Sequence, residues 1–234
     1  FIVGYIENDT YMTRLIKKGH IQAIKKLLQY GADPNQKNLS KITPIAAAAN
    51  KGLLQIVQDL IDFGANVNSV NGTGTTALIQ AAHFGFLDVV KLLILNGANV
   101  NFVNQKGTTA LMRSSQEGFI DITMELLNAG ADVRRCNNEK LNSLMLASQR
   151  GNLEMTSTLL RAGANVEAVT RLGSSALMLT AKRGRKECIE ELLRCGAEIY
   201  KCDSNGHRAS SHAKRKQYLD LLPLFDSQVQ ISLM

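Results

Sequence analysis

The sequence of 234 residues predicts an all-α solenoid, in which stacked antiparallel helix pairs are joined by β-turn fingers. The prediction rests on two glycine series that recur every 33 residues and on a leucine or isoleucine pair that precedes each copy of the first series. The first series is the Gly-Ala pair at Gly31-Ala32, Gly64-Ala65, Gly97-Ala98, Gly130-Ala131, Gly163-Ala164 and Gly196-Ala197. The second series is an inner glycine at Gly19, Gly52, Gly85, Gly118, Gly151 and Gly184. The period predicts about seven repeats, including atypical ends.

Each unit begins with a helix whose N-cap side chain accepts a hydrogen bond from a free backbone N–H group of the first turn. The predicted N-caps are Thr43, Thr76, Thr109, Asn142 and Ser175. The inner glycine is expected to end this helix in the left-handed conformation. A second helix follows, with an acidic residue in its first turn in four units, and the glycine of Gly-Ala ends it. A glycine-containing turn then leads to the next N-cap.

The same series predict a single repeat domain without an internal boundary over residues 1–226, followed by a tail at 227–234. The closing unit places Arg208 at the N-cap position and Gln217 where the inner glycine belongs. Since the first unit begins near Thr10, residues 1–9 either continue an upstream repeat or form a frayed start. Helix pairs are predicted near residues 10–30, 43–63, 76–96, 109–129, 142–162 and 175–195, with the closing unit at 203–226.

The unit at residues 71–103, from Asn-Gly-Thr-Gly-Thr-Thr-Ala-Leu to Asn-Gly-Ala-Asn-Val-Asn, resembles the ankyrin repeat. The resemblance covers nearly the whole chain. The Thr-Pro-Leu-His segment of the family is Thr43-Pro44-Ile45-Ala46 here, and none of the five corresponding segments keeps the histidine. We therefore expect apolar packing to replace the polar network that this histidine makes in the family.

Composition argues against membrane insertion and against a disulfide scaffold. The most apolar stretch, Val89 to Leu95, is far shorter than the roughly 20 residues of a membrane-spanning helix and contains Lys91. Four cysteines are too few for a disulfide framework. Three of them, Cys188, Cys195 and Cys202, are seven residues apart and lack the short spacers of zinc sites.

Catalytic chemistry is not predicted either. The four histidines His20, His83, His207 and His212 fall in different slots of the repeat, which favours packed or solvent-facing side chains over a site. No phosphate-binding loop of the Gly-x-x-x-x-Gly-Lys type occurs. We therefore expect no catalytic residue, no cofactor and no metal, and a chain that is not an enzyme.

A partner surface is predicted from charge. The formal net charge is +7, and the resemblance implies that residues before the inner glycine and in the turn face a ligand on a concave surface. The slot directly before the inner glycine is basic in five of seven units, which would attract an acidic ligand. The candidate partner-binding residues are Lys18, Lys51, His83, Phe84, Lys106, Gln116, Glu117, Gln149, Arg150, Arg171, Lys182 and Arg183. The slot before each turn adds a mostly apolar strip, which is Lys37, Val70, Val103, Cys136, Val169 and Cys202.

These features favour a non-catalytic scaffold or adaptor, monomeric in isolation, that binds an acidic or amphipathic protein segment. Three alternatives stay open: an RNA-binding or other anionic-oligonucleotide-binding array, a substrate-recruiting module of a larger enzyme, channel or ligase, and cations that only solvate the surface. Few aromatic residues could stack on bases, namely Phe84, Phe86 and Phe119. We expect a cytoplasmic location, with nuclear import through Lys214-Arg215-Lys216 as its alternative. The resemblance also places Asn35, Asn68 and Asn101 in the slot that asparaginyl hydroxylation targets, where a turn-stabilising role is sufficient.

Overall fold

The described chain is almost entirely helical. The structure, a computed structural model, describes residues 5–6 and 9–226. Two short antiparallel strands, β1 (Tyr5–Ile6) and β2 (Asp9–Thr10), precede the first helix. The α-helices are α1 (Tyr11–Lys18), α2 (Ile21–Gln29), α3 (Pro44–Asn50), α4 (Leu54–Asp62), α5 (Ala77–Phe84), α6 (Leu87–Leu95), α7 (Ala110–Glu117), α8 (Ile120–Asn128), α9 (Ser143–Arg150), α10 (Leu153–Arg161), α11 (Ala176–Ala181), α12 (Lys186–Arg194) and α13 (Ala209–Arg215). A 3-10 helix, Leu219–Phe225, closes the last unit, and the predicted tail at 227–234 lies outside the described residues.

The helices form two layers within each of two compact units, which divide at Ser114–Ser115, Ile120–Asp121 and Ala131–Asp132. In the first unit α1, α3 and α5 pack in sequence, and α2, α4 and α6 pack in sequence beside them. In the second unit α9, α11 and α13 form one layer and α10 packs against α12. The predicted fold class of stacked helix pairs is therefore confirmed, while the repeat count and the single domain over residues 1–226 stay predictions.

The predicted N-caps explain where the first helices begin. At each cap the side-chain oxygen accepts a hydrogen bond from the backbone N–H three residues on, at 2.9 to 3.4 Å. Thr10 caps α1 in the same way, whereas the Arg208 side chain makes no capping bond to α13. The capping residues of this set are Thr43, Thr76, Thr109, Asn142 and Ser175.

Two slots of the repeat have positive φ. The inner glycines have φ between +68° and +89°, as predicted, and Gln217 takes the same conformation at +65° where the glycine is missing. A second slot lies in the turn, where Lys41 and Lys140 have φ of +59° and +57°. The glycines 33 and 66 residues from these lysines have φ of +72° to +75°. The left-handed backbone conformation therefore recurs every 33 residues even at lysine and glutamine, whose side chains disfavour it.

The core is apolar at the position of the missing family histidine. Its occupants are all at most 2% exposed, so apolar packing replaces the polar network, as expected. Second helices add fully buried side chains such as Leu60 and Leu93, and the buried Cys188 lies on the core side of α12. The occupants of the histidine position are Ala46, Ile79, Met112, Met145 and Met178.

Asparagine side chains bridge neighbouring repeats in the first unit. Asn35 Nδ2 donates to the Gly64 carbonyl at 3.1 Å, and its Oδ1 accepts from the Asn66 N–H at 2.8 Å. Asn68 repeats both bonds one unit later, at 3.0 and 2.8 Å. These side chains therefore connect one repeat to the next. The local turn is stabilised instead by Asp33 and Asn66, whose Oδ1 atoms accept from the Asn35 and Asn68 backbone N–H groups at 2.8 and 2.9 Å.

Candidate functional site

The turn fingers are built by side-chain oxygens that imitate a backbone turn. Asn71 Oδ1 accepts from the N–H groups of Thr73 and Thr75 at 3.0 and 2.9 Å. The same slot holds a polar side chain that accepts from the finger backbone in every unit with a finger, because the turn leaves N–H groups without partners. Its occupants are Asn38, Asn71, Asn104, Asn137, Thr170 and Asp203.

The predicted apolar strip lies at the base of these fingers. Val70, Cys136 and Val169 each form a β-bridge with the N-cap residue of the next helix, which closes the finger. The two bridged valines are half-buried, whereas Val103 and Cys202 are exposed. Part of the strip is thus structural, and its exposed members remain accessible for contact.

We name the surface formed by the fingers and by the C-terminal ends of the first helices the first-helix surface. In the first unit it carries three exposed cations from the predicted set, Lys18, Lys51 and Lys106. Lys51 lines a cavity of about 160 Å³ together with Lys17, which is paired with Asp9 at 2.7 Å. The charge of Lys17 is therefore offset within the protein, while Lys51 has no such pairing in the described chain.

An aromatic group stands at the end of α5. The Phe84 ring is 46% exposed and lies 4.6 Å from the half-buried His83 ring and 6.4 Å from the Phe86 ring, centroid to centroid. Phe86 in turn covers the α-carbon of Gly52. Phe84 is thus an exposed apolar side chain whose ring lies close to the rings of His83 and Phe86.

In the second unit four of the seven candidates line one of two cavities. Gln116 and Glu117 line a cavity of about 520 Å³ with Arg150, so an acidic and a basic residue belong to the same lining. Gln149, which directly precedes Arg150 in the sequence, is half-buried. The remaining second-unit candidates are all exposed: Arg171, Lys182 and Arg183.

The second cavity contains residues that the sequence analysis left outside the candidate set. It has a volume of about 350 Å³ and brings Lys182 to the closing unit, where Asp203, His207, His212, Arg215 and Lys216 line it. His207 and His212 occupy different slots of the same closing unit, and their ring centroids lie 5.7 Å apart in the lining of this cavity. The sequence signal for this group is the position of Asp203, which is a carboxylate in the finger slot of the repeat.

Asp203 holds this group together. Its Oδ1 accepts from the backbone N–H groups of Asn205 and His207 at 2.9 and 3.0 Å, and its Oδ2 contacts His212 Nε2 at 2.9 Å. Burial alone would raise the pKa of the Asp203 carboxyl. The hydrogen bonds from the backbone of His207 and Asn205 and from His212 outweigh burial and hold this pKa below its ordinary value. The carboxylate is therefore ionised at neutral pH and can only accept hydrogen bonds.

Other chemistry has little support on this surface. In the described part of the chain no group of three or more histidine, cysteine or acidic side chains could hold a metal ion. Burial raises the pKa of the Cys188 thiol, which keeps it protonated. No helix within residues 9–226 is long and apolar enough to cross a membrane.

Comparisons with known proteins agree with this architecture. A family model described as ankyrin repeats, in three copies, matches residues 12–102, 78–170 and 144–231. The solved ankyrin repeat domain of Bcl-3, a member of the IκB family, has 25% sequence identity and a TM-score of 0.78, with 93% of this chain and 100% of that chain covered. The human ASB11 ankyrin repeat domain has 20% identity and a TM-score of 0.84, with 94% and 99% covered. The search of curated proteins gave no match.

Domains of this kind are non-catalytic modules that generally mediate protein–protein interaction. The family model matches well over half of the sequence, and the caps, glycines and fingers of the structure follow the same 33-residue step. The chain belongs to the ankyrin repeat family.

Proposed function

We propose that the chain is a non-catalytic interaction scaffold whose first-helix surface binds an acidic or amphipathic segment of a partner protein. The observation that carries the proposal is the set of exposed cations that each compact unit has in the slot directly before the inner-glycine position. They are Lys18 and Lys51 in the first unit, and Arg150, Arg183 and Lys216 in the second. In the described part of the chain none of the five takes part in an ion pair.

The spacing within the second unit suits an extended acidic segment. Arg150, Arg183 and Lys216 follow successive helices of one layer, and packed helices lie about 8–10 Å apart. Charges at that separation lie about one Debye length apart at physiological salt, so they act on a ligand largely one by one. Such a row favours association with an acidic ligand and makes its rate salt-dependent.

The exposed aromatic surface favours protein over nucleic acid as the ligand. Of the three phenylalanines that could stack on bases, Phe84 is exposed, whereas Phe86 and Phe119 are half-buried. Single-strand binding relies on several aromatic platforms beside the positive charge. Among these three, Phe84 is the one exposed ring, and a single ring beside cations is better suited to an apolar side chain of an amphipathic peptide.

The proposal is tested by affinity capture from a lysate, followed by mass spectrometry, with two matched variants. The first reverses charge on the first-helix surface through Lys51→Glu, Arg150→Glu and Arg183→Glu. The second makes the same change in net charge on the exposed sides of second helices through Lys25→Glu, Lys91→Glu and Arg161→Glu. Circular dichroism checks that both variants stay folded.

The proposal predicts a protein that the native chain and the second-helix variant capture at low salt and the first-helix variant does not. Equal capture by both variants would refute the assignment of the surface. Capture that nuclease treatment abolishes would replace the protein ligand with a nucleic acid.

A further inference from the structure

The cavity between α11 and α13 has a charge that the proposed function does not explain. Three cationic side chains line it, Lys182 from the end of α11 and Arg215 and Lys216 from the end of α13. Asp203 is the sole acidic residue among its lining residues. With neutral histidines, the lining therefore has an excess of two positive charges.

Asp203 is already fully engaged by the protein. Its side chain is 4% exposed, and both of its oxygens accept hydrogen bonds from the finger backbone and from His212. In the other fingers this slot holds an amide or a hydroxyl, and only a carboxylate offers two accepting oxygens. The substitution therefore fixes the His212 ring in the wall of the cavity.

The second histidine fixes the arginine. His207 Nε2 lies 3.3 Å from Arg215 Nη1, and a guanidinium can only donate, so this nitrogen is the acceptor. The proton of the neutral ring is then on Nδ1, which faces Asp203 Oδ1 at 3.7 Å. Asp203, His207 and Arg215 thus form a chain of contacts that orients the guanidinium before any ligand arrives.

We propose that this cavity binds the phosphoryl group of a phosphorylated serine or threonine in the partner protein. A phosphoryl group carries about −1.5 to −2 charges at neutral pH, which matches the excess positive charge of the lining. An oriented guanidinium suits its oxygens because it can donate two parallel hydrogen bonds. A glutamate or aspartate carboxylate would leave about one positive charge without compensation.

The rim of the cavity fits a side chain on a peptide better than a free anion. Leu172 lines it from the neighbouring finger and is 68% exposed, and Ser174 lies beside it. A volume of about 350 Å³ exceeds that of a bare phosphate and leaves room for the peptide backbone around the phosphorylated residue. The basic cluster Lys214-Arg215-Lys216 is thus divided, with two residues at the cavity and Lys214 outside its lining.

The inference deepens the proposed function, because Lys182 and Lys216 belong to the first-helix surface. It is tested without the partner by following the ring signals of His207 and His212 in NMR titrations of the 234-residue chain. The probes are N-acetyl-O-phosphoserine methylamide, N-acetylglutamate methylamide and inorganic phosphate. Arg215→Gln and Lys182→Gln remove a lining charge, and Lys214→Gln removes a charge from the same helix outside the cavity.

The inference predicts saturable shifts with the phosphoserine probe and weaker binding of the other two probes. Each lining variant should weaken phosphoserine binding about tenfold, since a hydrogen bond to a charged group is lost, and Lys214→Gln should change it less than twofold. Equal binding of the glutamate probe, or phosphate binding as tight as phosphoserine, would overturn it. An absence of shifts would do the same.

Different results would refute the phosphoryl site and the proposed function of the first-helix surface. Lys51 and Arg150 lie outside this cavity, so loss of partner capture in the charge-reversed variant is expected whether or not phosphoserine binds. If the chain binds phosphoserine but captures its partner regardless of the first-helix charges, the phosphoryl site is supported and the proposed function of the first-helix surface is refuted.

Discussion

The Phe86 ring lies directly on the α-carbon of Gly52, and a Cβ placed there would overlap Phe86 Cδ1. The inner glycine therefore serves two purposes, since it permits a φ of +68° and leaves space for a side chain of the next repeat. The same overlap recurs in the second unit, where Arg185 covers Gly151 and Tyr218 covers Gly184. The inner-glycine slot is thus also a contact between repeats.

This contact predicts that Gly52→Ala destabilises more than Gly97→Ala. Both glycines have positive φ, which costs alanine about 1–2 kcal/mol, but nothing lies within 4 Å of a Cβ at Gly97. Overpacking against Phe86 should add about 1–3 kcal/mol at Gly52. Urea denaturation measures both changes. If Phe86→Ala does not reduce the extra cost in a double-mutant cycle, the contact does not cause it.

Replacing Gln217 with glycine is expected to stabilise the protein. Gln217 has a φ of +65° where six other units have glycine, so its backbone is strained. Gln217→Gly should raise the free energy of unfolding of the second unit by about 0.5–1 kcal/mol, because relief of strain exceeds the added entropy of the unfolded chain. Thermal denaturation gives the sign. A lower melting temperature would show that the glutamine conformation is not strained.

Truncating the Leu93 side chain is expected to cause a large loss of stability. This side chain is 0% exposed, so Leu93→Ala should cost about 2–5 kcal/mol through lost burial and the cavity that remains. Leu95 lies two residues on and is 83% exposed, which makes Leu95→Ala the matched control with an expected change below about 0.5 kcal/mol. Similar costs in chemical denaturation would contradict the assignment of the core face of α6.

The lowered pKa of Asp203 predicts a stability difference that depends on pH. Its contribution is present above the ordinary carboxyl pKa of about 3.8 and is lost as the pH falls through the lower folded value. Asp203→Asn should therefore cost about 1 kcal/mol at pH 7, and the difference from the native chain should shrink below pH 4. Denaturation at pH 7 and pH 3 tests this, with the exposed Asp220→Asn as control. A constant difference would argue against the carboxylate as the cause.

Local features of the fold followed from the sequence because each depends on one residue type in one conformation. Thr43 and Asn142 cap helices through their own side chains, and inner glycines permit positive φ. Lys41 and Lys140 show the limit of this reasoning, since lysine gives no local sign of a left-handed backbone. Their conformation is set by the fingers around them and is visible only when the 33-residue step is followed through the turns.

The candidate site could be predicted only as a set of positions. Which side chains share a cavity depends on packing between repeats. Lys182 and Arg215 occupy the same slot of neighbouring repeats and line one cavity, but the 33-residue step does not show that their side chains do so. The Asp203–His212 bond also required coordinates, because the sequence shows a carboxylate in the finger slot but does not show which side chain its second oxygen contacts. Exposure separated Phe84 from Phe86 and Phe119, which the sequence treats alike.

The central claim is that the first-helix surface holds the partner, and site-specific photo-crosslinking tests it most directly. Benzoylphenylalanine is placed at Phe84, which is 46% exposed on that surface, and in a separate variant at Leu95 on α6. Both positions lie in the first unit, and neither change alters the charge. The account predicts a crosslinked partner from position 84 and none from position 95. A crosslink from position 95 without one from position 84 would contradict it.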